Sequence, residues 1–174
     1  MNRLSIKLLV LLTLLAPSLV PGESVAKAAP VSASEARKLI EQSGIKGGLV
    51  VHVGLSDGKL TAALKVNSRY QVHGIDRKIQ KVEAARAALQ KMGVYGEVSV
   101  GLLTGERLPY IENLVNLMVI EDLSGVANAE ILRSLTPNGV AFIRNGDEWK
   151  KVVKPRPGNI DDWTHYLHSA SNNA

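Results

Sequence analysis

With 174 residues, 45% of them hydrophobic, the chain has enough apolar side chain for one domain with a proper core and too little length for two. Its formal net charge of +5 comes from Lys and Arg scattered along the chain, and with aromatic residues at 4% there is no interleaved basic and stacking stripe of the kind that grips nucleic acid. The absence of cysteine excludes a disulfide framework, a lipid-modified cysteine anchor and a thiolate metal site together.

At the start of the chain Arg3 and Lys7 precede an apolar run over 8–15, followed by Pro17, Pro21 and Gly22. This is the layout of a signal peptide. Ala26-Lys27-Ala28 supplies the small-x-small pattern for cleavage, so residues 1–28 are expected to be removed and the remainder to be periplasmic or secreted. The run is shorter than the ~20 residues of a membrane span, so no stable membrane anchor is expected after cleavage.

Ser32 and Glu35 then show capping-box spacing, and Ala36, Leu39 and Ile40 recur at helical intervals until Gly44, which predicts a short leading helix. The continuous apolar run over 49–53 predicts a strand buried on both faces. After the turn Gly54-Leu55-Ser56-Asp57-Gly58, the spacing of Leu60, Ala63 and Leu64 predicts a helix over 59–66. A second strand is expected over 70–75, closing on Asp76. The segment 77–91 carries Ile79, Val82, Ala85 and Leu89 at helical spacing among charged residues, with Gly93 at the stop, which predicts a solvent-facing amphipathic helix.

Alternation at Val98, Val100 and Leu102 predicts a third strand over 97–102, and the apolar run over 114–120 a fourth. A helix follows over 126–135, a tight turn at Pro137-Asn138-Gly139, and a fifth strand over 140–143. Strands separated by helices or long crossovers pair in parallel. The expected fold is therefore α/β, a Rossmann-like doubly wound, mainly parallel sheet of at least five strands with flanking helices. From Arg144 the pattern changes: Asn145-Gly146-Asp147 is turn chemistry, 149–153 suits an edge strand, and Lys154-Pro155-Arg156-Pro157-Gly158 reads as a linker. The expected domain spans 29–153.

Gly54, Ser56, Asp57 and Gly58 lie at the carboxyl end of the first strand, where open α/β sheets bind ligands, and Asp76 lies at the carboxyl end of the second. An acidic side chain there can accept hydrogen bonds from a ribose diol. A dinucleotide fingerprint would place glycines at 54, 56 and 59, where this chain has Gly54, Ser56 and Lys59, so NAD binding is the weaker reading.

Four motifs in order resemble the class I S-adenosylmethionine-dependent methyltransferases. The acidic-x-Gly-x-Gly-x-Gly motif of that family falls on His52, Gly54, Ser56 and Gly58. Gly74-Ile75-Asp76 follows the second strand, Leu108-Pro109-Tyr110 through Asn113 to Leu117 leads into the fourth, and Ile131-Leu132-Arg133-Ser134-Leu135-Thr136-Pro137-Asn138-Gly139-Val140 enters the fifth. The resemblance covers about residues 44–144. It implies an S-adenosylmethionine site drawn from His52, Gly54, Ser56, Asp57, Gly58, Asp76, Thr104 and Glu121, with departures from the family pattern at His52, Ser56 and Thr104.

No catalytic residue stands out. Glu121 and Asp122 end the fourth strand and read either as substrate-facing groups or as a solvated helix-entry pair. His52 and His73 sit inside strands, as core histidines or as ligands. In the tail, His165 and His168 follow Asp161 and Asp162, but no third and fourth zinc ligand is assured, and no metal site is expected. The stretch 154–174 resembles the lead-in to a pyrroloquinoline-quinone-type β-propeller of exported planctomycete-type bacterial proteins, which implies a propeller downstream. Three functions follow: a non-catalytic module for a nucleotide-like small molecule or an interaction beside a propeller, an active methyltransferase, and an NAD-dependent oxidoreductase.

Overall fold

The computed structural model describes residues 31–123 and 125–158; the leader expected over 1–28 and the aspartates and histidines of the tail lie outside them. The elements follow in the order α1 (Val31–Ser43), β1 (Gly48–Val53), α2 (Lys59–Ala63), β2 (Tyr70–Asp76), α3 (Ile79–Lys91), β3 (Val98–Leu102), β4 (Val115–Ile120), α4 (Asn128–Ser134), β5 (Leu135–Asn145) and β6 (Glu148–Val153). The strands form one sheet in the order β3-β2-β1-β4-β5-β6. All neighbours are parallel except β5 and β6, an antiparallel hairpin. This is the expected Rossmann-like, mainly parallel architecture.

The apolar runs exist because the sheet is covered on both sides. Val50, Val72, Leu117 and Phe142 pack with Ala36 and Leu39 of α1, Leu60 of α2 and Val82, Ala85 and Leu89 of α3. Val51, Val53, Met118 and Ala141 pack on the other face with Ile131 of α4 and with Leu103 and Leu108 from the long crossover. Each of the valine, leucine, isoleucine, methionine and phenylalanine side chains contributes about 1.5–3 kcal/mol by leaving water, so a strand that alternated polar and apolar residues would lose half of this at the centre of the sheet.

Two local expectations are corrected. Pro137-Asn138-Gly139 is not a turn ahead of the fifth strand: it lies inside β5, where the register against β4 shifts between Val115 and Leu117. Asn138 does take the left-handed backbone of a turn, with φ 62°, but its amide donates to the Lys154 carbonyl, so pairing runs through the irregularity. The capping box of Ser32 and Glu35 does not form either. The helix already includes Ser32, and the Glu35 carboxylate is engaged by β5 and β6: Arg144 Nη2 donates to its Oε1 at 2.8 Å and Trp149 Nε1 at 3.0 Å.

The crossover into β4 is clamped to α4. Glu130 accepts the Leu108 amide at 2.8 Å and two guanidinium bonds from Arg133, at 2.6 and 2.8 Å. Arg133 also donates to the Tyr110 carbonyl at 2.8 Å. Two motifs of the sequence, Leu108-Pro109-Tyr110 and Ile131 through Val140, are thus halves of one joint. Lys154, where the sequence changes character, completes it from the far side: its Nζ donates to Asn113 Oδ1 at 2.7 Å and to the Leu135 carbonyl at 2.8 Å.

Candidate functional site

The strand order reverses direction at β1, which has β2 on one side and β4 on the other. Beyond the carboxyl ends of those strands lies the crevice where such sheets take ligands. The edge is stitched together by backbone bonds: the Gly54 amide donates to the Ile75 carbonyl at 3.0 Å, the Glu121 amide to Val53 at 2.9 Å, and the Leu103 amide to Asp76 at 2.9 Å.

Gly54 and Gly58 are demanded by this turn. Gly54 has φ 83°, and a Cβ there would sit 2.6 Å from the Asp122 amide nitrogen. Gly58 has φ 77°, caps α2 in the left-handed region, and would drive a Cβ to 3.2 Å from the Ala85 backbone of α3. Between them Ser56 and Asp57 are exposed. Asp57 is tied to Lys59, by the ammonium at 2.6 Å and the amide at 3.0 Å, and the Lys59 hydrogen bond holds its carboxyl below the usual range.

Asp76 is 2% exposed. Its Oδ1 accepts the Lys78 amide at 2.8 Å, whereas Oδ2 has no hydrogen-bond partner and stands 3.5 Å from Lys81 Nζ. A carboxylate has room for about four hydrogen bonds, so Asp76 presents a buried, under-used acceptor at the end of β2. Its neighbour across the ladder is Leu102, 42% exposed although large and apolar. The sequence signal for Leu102 is the alternation with Val98 and Val100, which predicts burial; at the last rung of β3 its cover is incomplete. Thr104 follows two residues later and is exposed.

At the β1–β4 side, His52 is fully buried. Its Nδ1 lies 2.8 Å from Thr61 Oγ1 of α2, and its Nε2, without a hydrogen-bond partner, faces Glu121 Oε2 at 3.6 Å. That separation is too long for a hydrogen bond. Glu121 is half-buried, with Arg144 at 4.0 Å. Burial pushes its carboxyl up, but His52, the Ser56 hydroxyl and Arg144 outweigh burial and hold it below the ordinary value. Arg144 lies over the Trp149 ring at 4.5 Å and bridges Glu121 to Glu35. An open cavity of about 420 Å³ is lined by Ser32, Glu35, Ser56, Asp57, Lys59 and Glu121.

The structure therefore brings His52, Ser56 and Glu121 together, and places Asp57 on the same cavity. Gly54 underlies Asp122, while Asp76 ends the neighbouring strand β2 and Thr104 lies two residues beyond the end of β3. Thr61, Glu35, Arg144 and Trp149 carry no site signal in the sequence; Glu35 reads there as a helix cap and Trp149 as part of an edge strand. Glu35 meets its partners across 109 and 114 positions of chain, a separation that leaves no local pattern. His73 joins none of this: on the α4 face its Nδ1 meets the Tyr110 hydroxyl at 2.9 Å, edge to ring, and burial lowers its basicity. Among the described residues no cluster of three or more His, Asp or Glu could hold a metal ion, and no helix is long and apolar enough to cross a membrane.

No protein-family model matches the chain, and no curated protein sequence matches it. Solved structures do. A protein from Methanococcus maripaludis assigned as an S-adenosyl-L-methionine-dependent methyltransferase aligns with TM-score 0.59 at 21% identity, over 66% of this chain and 55% of that one. Geranyl diphosphate C-methyltransferase from Streptomyces coelicolor A3(2), in complex with Mg²⁺, geranyl diphosphate and S-adenosyl-L-homocysteine, aligns with TM-score 0.55 at 14% identity, over 64% and 44%. The [4+2]-cyclase SpnF aligns with TM-score 0.56 at 21% identity, over 64% and 43%. The chain thus spans about half the length of these neighbours or less, and its fold is the methyltransferase-like, Rossmann-like α/β fold that they share.

Proposed function

We propose that this chain is a methyltransferase-like domain that binds S-adenosylmethionine or its demethylated product across the carboxyl edge of β2, β1 and β4. The observation that carries the reading is Asp76: a buried carboxylate whose Oδ2 has no hydrogen-bond partner and stands 3.5 Å from the Lys81 ammonium, beside a turn whose two glycines take left-handed backbone. The residues present fit an adenosyl nucleoside. Asp76 would take the ribose hydroxyls, exposed Leu102 would offer an apolar surface to the base, and Ser56 with the backbone after Gly54 would face the amino-acid end. When bound, such a ligand supplies a sulfonium methyl group. The chain's own part is to orient it and to keep one side of the ribose out of water.

The binding function is the first reading because the fold alone hosts different chemistry, as the cyclase among its neighbours illustrates. Methyl transfer is the second, favoured by one observation: Glu121 is held ionised at the mouth of a cavity beside the glycine turn. Export through residues 1–28 and a covalent β-propeller after residues 154–174 belong to the same proposal and are supported by the sequence patterns of those segments.

Calorimetric titration of the chain with S-adenosylhomocysteine and NAD tests the binding function. The expected outcome is saturable binding of S-adenosylhomocysteine in preference to NAD, weakened at least tenfold in Asp76→Ala, in line with the ~1.5–3 kcal/mol of a hydrogen bond to a charged group. Absence of binding, or affinity unchanged in Asp76→Ala, overturns it.

A further inference from the structure

We infer that the apolar surface of Ile111, Leu114 and Val153, at the amino edge of the sheet, is the seat of residues 159–167 of the same chain. Ile111 is 71% exposed, Val153 48% and Leu114 41%. All three lie within two residues of a single contact, that of Lys154 with Asn113. Lys154 follows Val153 directly, its amide and carbonyl pair with Gly139 and Asn138, and its Nζ donates to Asn113 Oδ1 at 2.7 Å.

The display is held in place. Arg133 Nη2 donates to the Tyr110 carbonyl at 2.8 Å, the Asn113 amide to the Arg133 carbonyl at 3.1 Å, and the Leu114 amide to the Ser134 carbonyl at 3.0 Å. Asn113 takes left-handed backbone, with φ 57°, a conformation that a residue other than glycine keeps only where its surroundings fix it. Ile111 is thus pinned on both sides while its own side chain stands in water.

The size of the surface decides what covers it. Three side chains fall far short of the ~800 Å² per partner of a stable interface between separate molecules, so a second copy or a free partner would be held too weakly. A segment of the same chain escapes that requirement, because a short tether gives it an effective concentration of order mM. One starts here. Pro155 and Pro157 lead away from Lys154 as extended, exposed backbone, and the four residues 155–158 span at most about 14 Å. Beyond them Ile160, Trp163 and Leu167 have the i, i+3, i+7 spacing of one helix face, Asn159 has cap chemistry, and Asp161 and Asp162 fall where a first turn favours acidic groups. A helix so short is marginal alone in water, so its apolar stripe and the uncovered surface complete each other.

The inference does not depend on the nucleoside reading. The test is fluorine NMR of the full chain labelled with 5-fluorotryptophan, in which the two tryptophans give two signals, that of Trp163 being assigned by its loss in Trp163→Phe. The Trp163 signal is expected to be broadened by a soluble nitroxide several-fold less than in a free peptide of residues 159–174, at every protein concentration. It should return to the peptide's value in Ile111→Ser and in Leu114→Ser with native circular dichroism spectra, and stay unchanged in Ile79→Ser, which is 42% exposed at the opposite edge of the sheet. Seen from the other side, the Ile111 methyl signals should move in Trp163→Ser. Peptide-like broadening in the unsubstituted chain, protection that survives Ile111→Ser, or Ile111 methyl signals unmoved in Trp163→Ser overturns the inference. Protection that fades on dilution also overturns it, by giving the surface to a second copy.

Discussion

Replacing Thr61 by valine keeps the shape of the side chain and removes one hydroxyl. Thr61 and His52 are both 0% exposed, and their bond of 2.8 Å is what the imidazole has at Nδ1. Because Nε2 is already without a hydrogen-bond partner, the variant leaves a buried ring with neither nitrogen satisfied. Leaving one buried polar group unpaired costs ~1–3 kcal/mol. The retained methyl still packs near Gly74, so little cavity term adds to this. In a domain of this size each 1 kcal/mol lowers the melting temperature by roughly 3–5 °C, so the loss amounts to roughly 3–15 °C. Urea unfolding of the full chain, followed by circular dichroism, measures it as a shift in midpoint at constant m. The decisive arm is the pair: His52→Leu with Thr61→Val should cost about 1–2 kcal/mol less than the sum of the single variants, since deleting both partners strands neither. Additivity within about 0.3 kcal/mol would show that the hydroxyl and the ring are not coupled, and would refute the 2.8 Å contact as a stabilising hydrogen bond.

Gly58→Ala should destabilise by ~1–3 kcal/mol, because the left-handed backbone and the contact with Ala85 add; Gly93→Ala, with φ 71° but nothing within 4 Å of the new methyl, should cost only the conformational share, and equal losses for the two would refute the role given to α3. The Arg133 hydrogen bond holds the Glu130 carboxyl below its ordinary 4.5. A depressed carboxyl contributes stability above its unfolded value and loses it as pH falls through the folded one, so acid unfolding below pH 4.5 should be shallower in Arg133→Met, and an unchanged profile refutes the clamp. Burial pushes the Tyr110 phenol up from 10.0, so its stabilisation is complete below pH 10.0 and is lost as pH rises through the folded value. Phenolate absorbance should show a late-ionising group that disappears in Tyr110→Phe; persistence of the late phase refutes the assignment.

Strand and helix positions were legible in the sequence wherever one physical rule dominated. The continuous runs of β1 and β4 announce burial on two faces, and the stop at Gly93 announces the end of α3. What escaped was set by distant partners. Proline and glycine at 137 and 139 signal a turn, yet Lys154, just after the hairpin strand, keeps the backbone of β5 paired through it. Ser32 and Glu35 have the spacing of a cap, yet a guanidinium and an indole from 109 and 114 residues away outcompete it. At the site, the glycines and Asp76 were readable because backbone geometry and strand ends are local. His52 was half readable: the apolar strand around it predicts a core histidine, and only the fold shows that its satisfied nitrogen faces α2 while the other faces a carboxylate delivered by β4.

The two outermost strands of the described sheet carry their own instruction to stop. At one edge β3 is five residues long, offering little ladder to a newcomer. At the other, β6 presents exposed Lys150 and Lys151 at its middle. An antiparallel copy centred there would set lysine opposite lysine, and Pro155 and Pro157 just beyond can donate no ladder bond. The longer apolar strands β1, β2 and β4 are interior, and the valines of the edge strand β3 sit on a ladder of only five residues. Self-association through strand addition, the ordinary hazard of an open sheet, is thereby confined to the interval before β1 and β4 have found each other across the 60 or so residues that separate them.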